Sequence, residues 1–313
     1  MKRLAYILIL ATSTITLACG DDGGTTEMPD AAAAADAPAA GGNSGFITPT
    51  LPATAYHFEN NMWTEVGPAD FDCLGAPSED MASTVDITVT GAVTDFQTAN
   101  PVPEATVEVF AGVDIGNALA MTTADAEGLY EITLPTGQTR VGFKIGAANA
   151  LDTYLVNQYF EPGAAAQEEP QRSVSRLTAD VLPALVGVTR TPGLGILAGA
   201  VRDCAENEVA NVIATVSSVQ SMPEHLDGAQ TFYFSAGTGG SLPVGHDTAP
   251  QTKADGLFVV IELPANPDAY LQVWGFTSAQ DPATDELTLL AEIPVPVVGD
   301  SVITASLDPL RAP

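Results

Sequence analysis

From about residue 85 onward, apolar and polar positions alternate with period two over short stretches. Val85, Ile87 and Val89 are separated by Asp86 and Thr88. Val107 and Val109 flank Glu108, and Tyr130, Ile132 and Leu134 alternate with Glu131 and Thr133. Successive side chains of a strand leave on opposite faces, so this period predicts strands that each bury one face. Glu127-Gly128 and Asp255-Gly256 stand just ahead of such runs, where glycine takes the positive φ of a tight turn. Leu134-Pro135 and Leu263-Pro264 close them, because proline cannot donate to a ladder. Many short strands between turn residues predict a sandwich. One stretch differs. Over residues 173–188, Leu177, Val181, Leu185 and Val188 recur at helical spacing. This predicts a short helix, kinked or ended at Pro183, packed between modules with its apolar stripe in the core.

The strand pattern occurs twice. Gly91-Ala92-Val93-Thr94-Asp95, followed by Val102 to Val109, is matched by Gly199-Ala200-Val201-Arg202-Asp203, followed by Val209 to Val216. Ala126-Glu127-Gly128-Leu129-Tyr130, running on to Leu134-Pro135, is matched by Ala254-Asp255-Gly256-Leu257-Phe258, running on to Leu263-Pro264. Each copy continues into a strand with an aromatic near its end, Phe143 in one and Trp274 and Phe276 in the other. In this order of elements the chain resembles the carboxypeptidase regulatory-like module, a transthyretin-like (prealbumin-like) β-sandwich. The first copy carries the likeness at Gly91, Val93, Asp95, Ala105, Val107, Val109, Asp125, Gly128, Tyr130, Leu134 and Pro135. The second carries it at Gly199, Val201, Asp203, Gly256, Phe258, Leu263 and Pro264. The resemblance implies a fold without catalytic residues, used in surface proteins as a non-catalytic appendage and related to some carbohydrate-binding folds. Fold alone does not fix function. The expected class is all-β, with two tandem Ig-like or prealbumin-like β-sandwich domains, a short linking helix and a disordered N-terminal tether.

The N-terminus supplies an address. Lys2 and Arg3 precede an apolar run from Leu4 to Ile15, too short to span a bilayer and suited to a secretory signal. Thr16-Leu17-Ala18-Cys19-Gly20 resembles the lipobox of bacterial lipoproteins, with Thr16 where leucine is usual. The resemblance implies cleavage before Cys19 and lipidation of its thiol, hence a membrane partner through the anchor. The expected location is the cell envelope at the outer membrane, on its periplasmic face or at the cell surface. Residues 1–18 are then the signal and 19–54 a disordered linker, since Gly, Asp, Thr, Pro and a short Ala run offer little to a core. Residues 55–190 form the first domain, with an N-terminal extension and the linking helix. Residues 191–313 form the second.

Composition narrows the function. The formal net charge is -29, so nucleic acid is excluded as a partner. With Cys19 lipidated, Cys73 and Cys204 remain as a disulfide pair in an oxidising compartment; neither has a nearby cysteine with which to hold a metal.

No catalytic motif is present, and no cofactor or metal is assigned. Gly237 to Ser241 is glycine-rich but lacks the lysine of a phosphate-binding loop and reads as a flexible loop. Asp125, Glu127 and Asp255 are turn carboxylates without the dense acidic series calcium requires. The candidate surface is the insert between Val216 and Gly256, about twice as long as its counterpart between Val109 and Gly128. It carries Glu224, His225, Asp227, Phe232, Tyr233, Phe234, His246 and Asp247. Converging His and Asp side chains would bind a metal. The plainer alternative has Phe232 and Phe234 as core, Tyr233 opposite, and both histidines in solvent. Trp63 and Trp274 are candidates for stacking on sugar rings, with Trp274 expected inside. The leading expectation is a non-enzymatic binding or adhesion lipoprotein that recognises a glycan or envelope protein. A structural spacer comes second, and a metal-dependent hydrolase using the insert histidines a distant third.

Overall fold

The computed structural model describes residues 48–237 and 241–312. The signal, Cys19, most of the tether and residues 238–240 of the glycine-rich loop lie outside them. Two strands come first, β1 (Thr54–Glu59) and β2 (Met62–Pro68). The first module follows as β3 (Ile87–Asp95), β4 (Thr106–Ala111), β5 (Ala118–Thr123), β6 (Leu129–Leu134), β7 (Arg140–Gly146), β8 (Ala150–Tyr159), β9 (Ala166–Glu168) and β10 (Gln171–Ser175). After helix α1 (Arg176–Ala184) come β11 (Gly195–Val201), β12 (Glu208–Ala210), β13 (Ile213–Ser217), β14 (Gln230–Phe234), β15 (Pro243–Val244), β16 (Leu257–Leu263), β17 (Asn266–Gly275), β18 (Thr288–Val297) and β19 (Ser301–Leu307). The protein is an all-β sandwich structure.

In the first module β3 pairs with β6 on one side and with β9 and β10 on the other, and β5-β4-β7-β8 forms the facing layer. The alternating residues meet between the layers: Ile87, Val89, Val107, Val109, Tyr130, Ile132, Leu134 and Phe143 form one buried cluster. Burial of such side chains contributes about 1.5–3 kcal/mol each. Val85, two residues before β3, stays 38% exposed.

The repeated motifs have a common steric cause. Gly91 lies opposite Tyr130 across the β3–β6 ladder, and a Cβ on it would sit 2.9 Å from the Tyr130 ring and 2.3 Å from Glu169 O. Gly199 lies opposite Phe258, and its Cβ would sit 2.5 Å from that ring and 2.9 Å from Ala305 O. Each glycine therefore admits an aromatic ring from one neighbouring strand and the backbone of the other. Gly128 and Gly256 have φ of +78° and +60°, with Val93 O and Val201 O each 2.8 Å from where a Cβ would be.

The second module places β16-β11-β19 against β13-β17-β18. Leu197, Val201, Phe258, Val260, Ile303 and Leu307 point between these layers. Its main sheet continues into the first module, because β19 pairs in parallel with β8 from Ser301↔Asp152 to Ala305↔Val156. Tyr154 and Val156 of β8, with Phe110 of β4, belong to the second module's core. On the other face of that sheet, Ile196, Val259, Ile261, Val302, Phe232 and Phe234 meet Leu151, Val174 and Ala179.

Three expectations change. The helix forms over residues 176–184, capped by Ser175, whose Oγ accepts the Thr178 N–H at 3.2 Å. Its stripe faces outward, with Leu177 70%, Val181 41% and Leu185 49% exposed, while Thr178, Ala179 and Pro183 are buried. The face that packs on the sheet is the smaller one, with Leu182 partly buried beside it. The linker ends earlier than residue 54: Pro49 and Ala53 are buried, and Ala53 N–H bonds Phe276 O at 2.7 Å. Finally, β1 pairs with β2 and with β12, so residues 54–68 extend the second module and not the first.

Candidate functional site

The insert covers a strand edge. In the first module, β5 pairs with the outer edge of β4. In the second, the strand in that chain position, β14, pairs instead with β16 in the other layer, leaving β13 at the edge of its sheet. Its outward polar groups are met by the insert. Val212 N–H reaches Thr252 Oγ1 at 3.1 Å, Ala214 N–H reaches the Tyr233 hydroxyl at 3.2 Å, and Thr231 Oγ1 donates to Ala214 O at 3.1 Å. Val216 N–H reaches His225 Nδ1 at 3.0 Å, and Leu226 N–H reaches Val216 O at 2.7 Å. Buried backbone groups left unpaired cost about 1–3 kcal/mol each, so these contacts stabilise the fold.

The candidate residues therefore part company. Tyr233 is buried at 1% exposure, with its ring inside the second module's core and its hydroxyl pKa pushed up by burial. Phe232 and Phe234 are buried on the opposite face, against the first module. His225 is not solvated; Nε2 lies 3.0 Å from Thr231 Oγ1, and burial lowers its pKa to about 4. His246 is exposed, stacked on Phe232 at 4.8 Å between ring centroids, with Nε2 2.6 Å from Thr231 O. Glu224, Asp227 and Asp247 are exposed. The two histidines share Thr231, yet each is turned to a structural hydrogen bond. Among the described residues no three His, Cys, Asp or Glu side chains gather into a metal site.

The turn carboxylates are similarly occupied. Asp95 Oδ1 accepts the Gln97 and Thr98 N–H groups, and Asp125 Oδ1 those of Glu127 and Leu129. Asp203 takes Ala205, Asn207 and Asp70 N–H groups. Asp255 takes Leu257 N–H, Ala236 N–H and the Ser241 hydroxyl, and burial raises its pKa against these bonds. Cys73 and Cys204 are joined, with Cα atoms 5.8 Å apart, pinning the segment after β2 to the turn after β11.

An open site lies elsewhere. A partly open cleft runs along the first module and the main sheet and reaches the β1–β2 hairpin, with a lining spread over much of the molecule. Phe58 and Trp63 stand at its hairpin end, with ring centroids 4.7 Å apart and an interplanar angle of 48°. Both are partly exposed, whereas Trp274 is buried and donates its indole N–H to Gln272. Polar residues Asn157, Gln158, Thr304 and Ser306 also line the cleft. Arg140 is held there by Asp80 at 2.5 Å and Asn157 O at 3.0 Å, with its guanidinium 5.8 Å from the Tyr159 ring centroid. Sequence reasoning weighed Trp63 but missed Arg140 and Tyr159. The scarcity of cations in so acidic a chain was the available signal for Arg140. No helix among the described residues is long and apolar enough to cross a membrane.

No family model matches the chain, and no curated protein matches it in sequence. Among solved structures it is similar to the wild-type catechol 1,2-dioxygenase of Acinetobacter radioresistens, at 15% identity and TM-score 0.22, over 36% of this chain and 62% of that one. It is similar to the Bacillus anthracis TIE protein, at 13% identity and TM-score 0.24, over 82% of this chain and 40% of that one. It is also similar to a shaft pilin of Lactobacillus rhamnosus GG, at 11% identity and TM-score 0.20, over 73% and 98%. The chain thus spans less than two thirds of the dioxygenase, and likenesses this slight leave function to the site itself.

Proposed function

We propose that this is a non-catalytic lipoprotein of the bacterial cell envelope, anchored through Cys19, that recognises a glycan in the cleft between its hairpin and main sheet. The observation that carries this reading is the pairing of a partly exposed Trp63–Phe58 platform with a polar cleft lining. Sugar rings stack on an aromatic face and hydrogen-bond through their hydroxyls, and a concave site of this mixed character suits them. The lipobox-like N-terminus and the disulfide support an exported chain. The two repeated motifs support carboxypeptidase regulatory-like modules as its building units. The test is a binding screen of the chain from residue 20 onward against polysaccharides and envelope fractions. Saturable binding weakened at least tenfold by Trp63→Ala supports the reading. Binding that Trp63→Ala leaves unchanged overturns the cleft assignment. A second reading, a rigid envelope spacer, is favoured by the sheet shared between modules, and absence of binding to every fraction would select it. Anchoring is tested separately by incorporation of labelled fatty acid, which Cys19→Ser should abolish.

A further inference from the structure

An uncovered strand edge is a template for pairing with another chain, and proteins cover or charge such edges. Here the cover over the distal half of β13 is the loop of residues 218–229, tied to that strand at Val216 by the His225 imidazole and the Leu226 N–H. We propose that this loop is an acid-released cover on the β13 edge, latched by His225.

The latch requires a neutral ring. Nδ1 accepts the Val216 N–H at 3.0 Å and therefore presents a lone pair. Thr231 Oγ1 gives its proton to Ala214 O at 3.1 Å, so Nε2, 3.0 Å from the same oxygen, carries the ring proton. A second proton would go onto Nδ1, opposite the Val216 N–H. Val216 O, 3.4 Å from Nδ1, takes the Leu226 N–H at 2.7 Å and has a second lone pair for that proton, a bond that raises the pKa against the larger effect of burial. The remainder of the loop is tied to β17 and β18, with the Gln272 amide donating to Val219 O at 3.0 Å. Ser221 N–H reaches Glu292 of β18 at 2.6 Å, and Ser217 Oγ bridges Val219.

The charged groups around the latch are few. β18 contributes Glu292, which also takes the Gln272 amide of β17 at 2.8 Å. The loop itself contributes Glu224 and Asp227, both exposed and so screened by solvent. β13 and β14 meet the ring with uncharged groups, Val216 N–H and Thr231 Oγ1, and a second titratable ring, His246, lies beyond Thr231 with Nε2 2.6 Å from Thr231 O; it is retained in His225→Gln. Burial is the larger influence and holds the closed-state pKa near 4, against 6.5 for a solvated ring. The opened loop therefore binds more protons than the closed one between those values. Closure is fully favoured above the ordinary pKa and is lost as pH falls towards 4. The opening equilibrium rises about twentyfold between neutral pH and pH 5.

The test is hydrogen–deuterium exchange of the oxidised protein at pH 7 and pH 5, corrected for intrinsic exchange. Peptides covering Val216 and the loop to Ala229 should exchange about twentyfold faster at pH 5, with β3 and β6 unchanged. In His225→Gln, whose amide does not titrate, the corrected loop rate should be the same at both values. The same acceleration in His225→Gln, or none in the native chain, overturns the proposal. A titration of the His225 ring protons by NMR needs no variant, and a midpoint at the ordinary value also overturns it.

Discussion

In the double variant Cys73→Ala, Cys204→Ala the chain loses the tie between residues 131 apart in sequence. That loop contains the whole first module, so the constraint acts on a long stretch of unfolded chain. Loop-closure entropy grows with the logarithm of loop length, and here its loss amounts to about 5 kcal/mol at room temperature. The Cys73 N–H contact to Cys204 Sγ goes with the sulfur, but the backbone ties beside it remain: the residue-204 N–H still reaches Asp70 O, and Asp70 N–H still reaches Asp203. The penalty should therefore fall on the unfolded state, lowering the guanidinium midpoint. Unfolding is followed by tryptophan fluorescence and by far-ultraviolet circular dichroism. Because β8 joins both modules, the two signals should change together in both proteins. A loss below about 1 kcal/mol would refute the chain-entropy reasoning and leave the polar contacts as the real clamp. Separated transitions would refute the claim that the modules unfold as one.

Three further substitutions probe the packing. Gly199→Ala drives a methyl group into the Phe258 ring and Ala305 O, and a thermal melt should show a loss of about 1–3 kcal/mol. Tyr233→Phe keeps the buried ring but strands the Ala214 N–H on the β13 edge; denaturant titration should report a cost of about 1–3 kcal/mol. Leu177→Ser removes a side chain that is 70% exposed and should change stability by no more than about 0.5 kcal/mol, whereas a loss above about 2 kcal/mol would mean the stripe is buried.

The strands of the first module were legible because one face of each is buried, which writes period two into Ile87–Val89 and Tyr130–Leu134. The repeat was legible for a related reason: Gly91 and Gly199 have the same steric duty towards Tyr130 and Phe258. Distant pairing of Cys73 with Cys204 followed from compartment and count. The helix was found but not its orientation, since Leu177, Val181 and Leu185 at helical spacing look alike whether they face core or solvent. The site was read least well. Tyr233 and His225 carry the chemistry of ligand contact, and only the transfer of β14 to the other layer shows that they serve the β13 edge. That transfer has no mark in local periodicity, because Gln230–Phe234 is buried on both faces.

The strand β8 has a consequence for how such a protein can be cut. Two copies of one sequence motif invite a cut at the boundary between them. Yet β19 takes its neighbour from the first copy, and Tyr154 and Val156 fill the second copy's interior. A fragment starting after α1 would expose that gap and the edge of β19 from Ser301 to Ala305. The stretch that repeats is therefore smaller than the unit that folds, and neither half is a portable part.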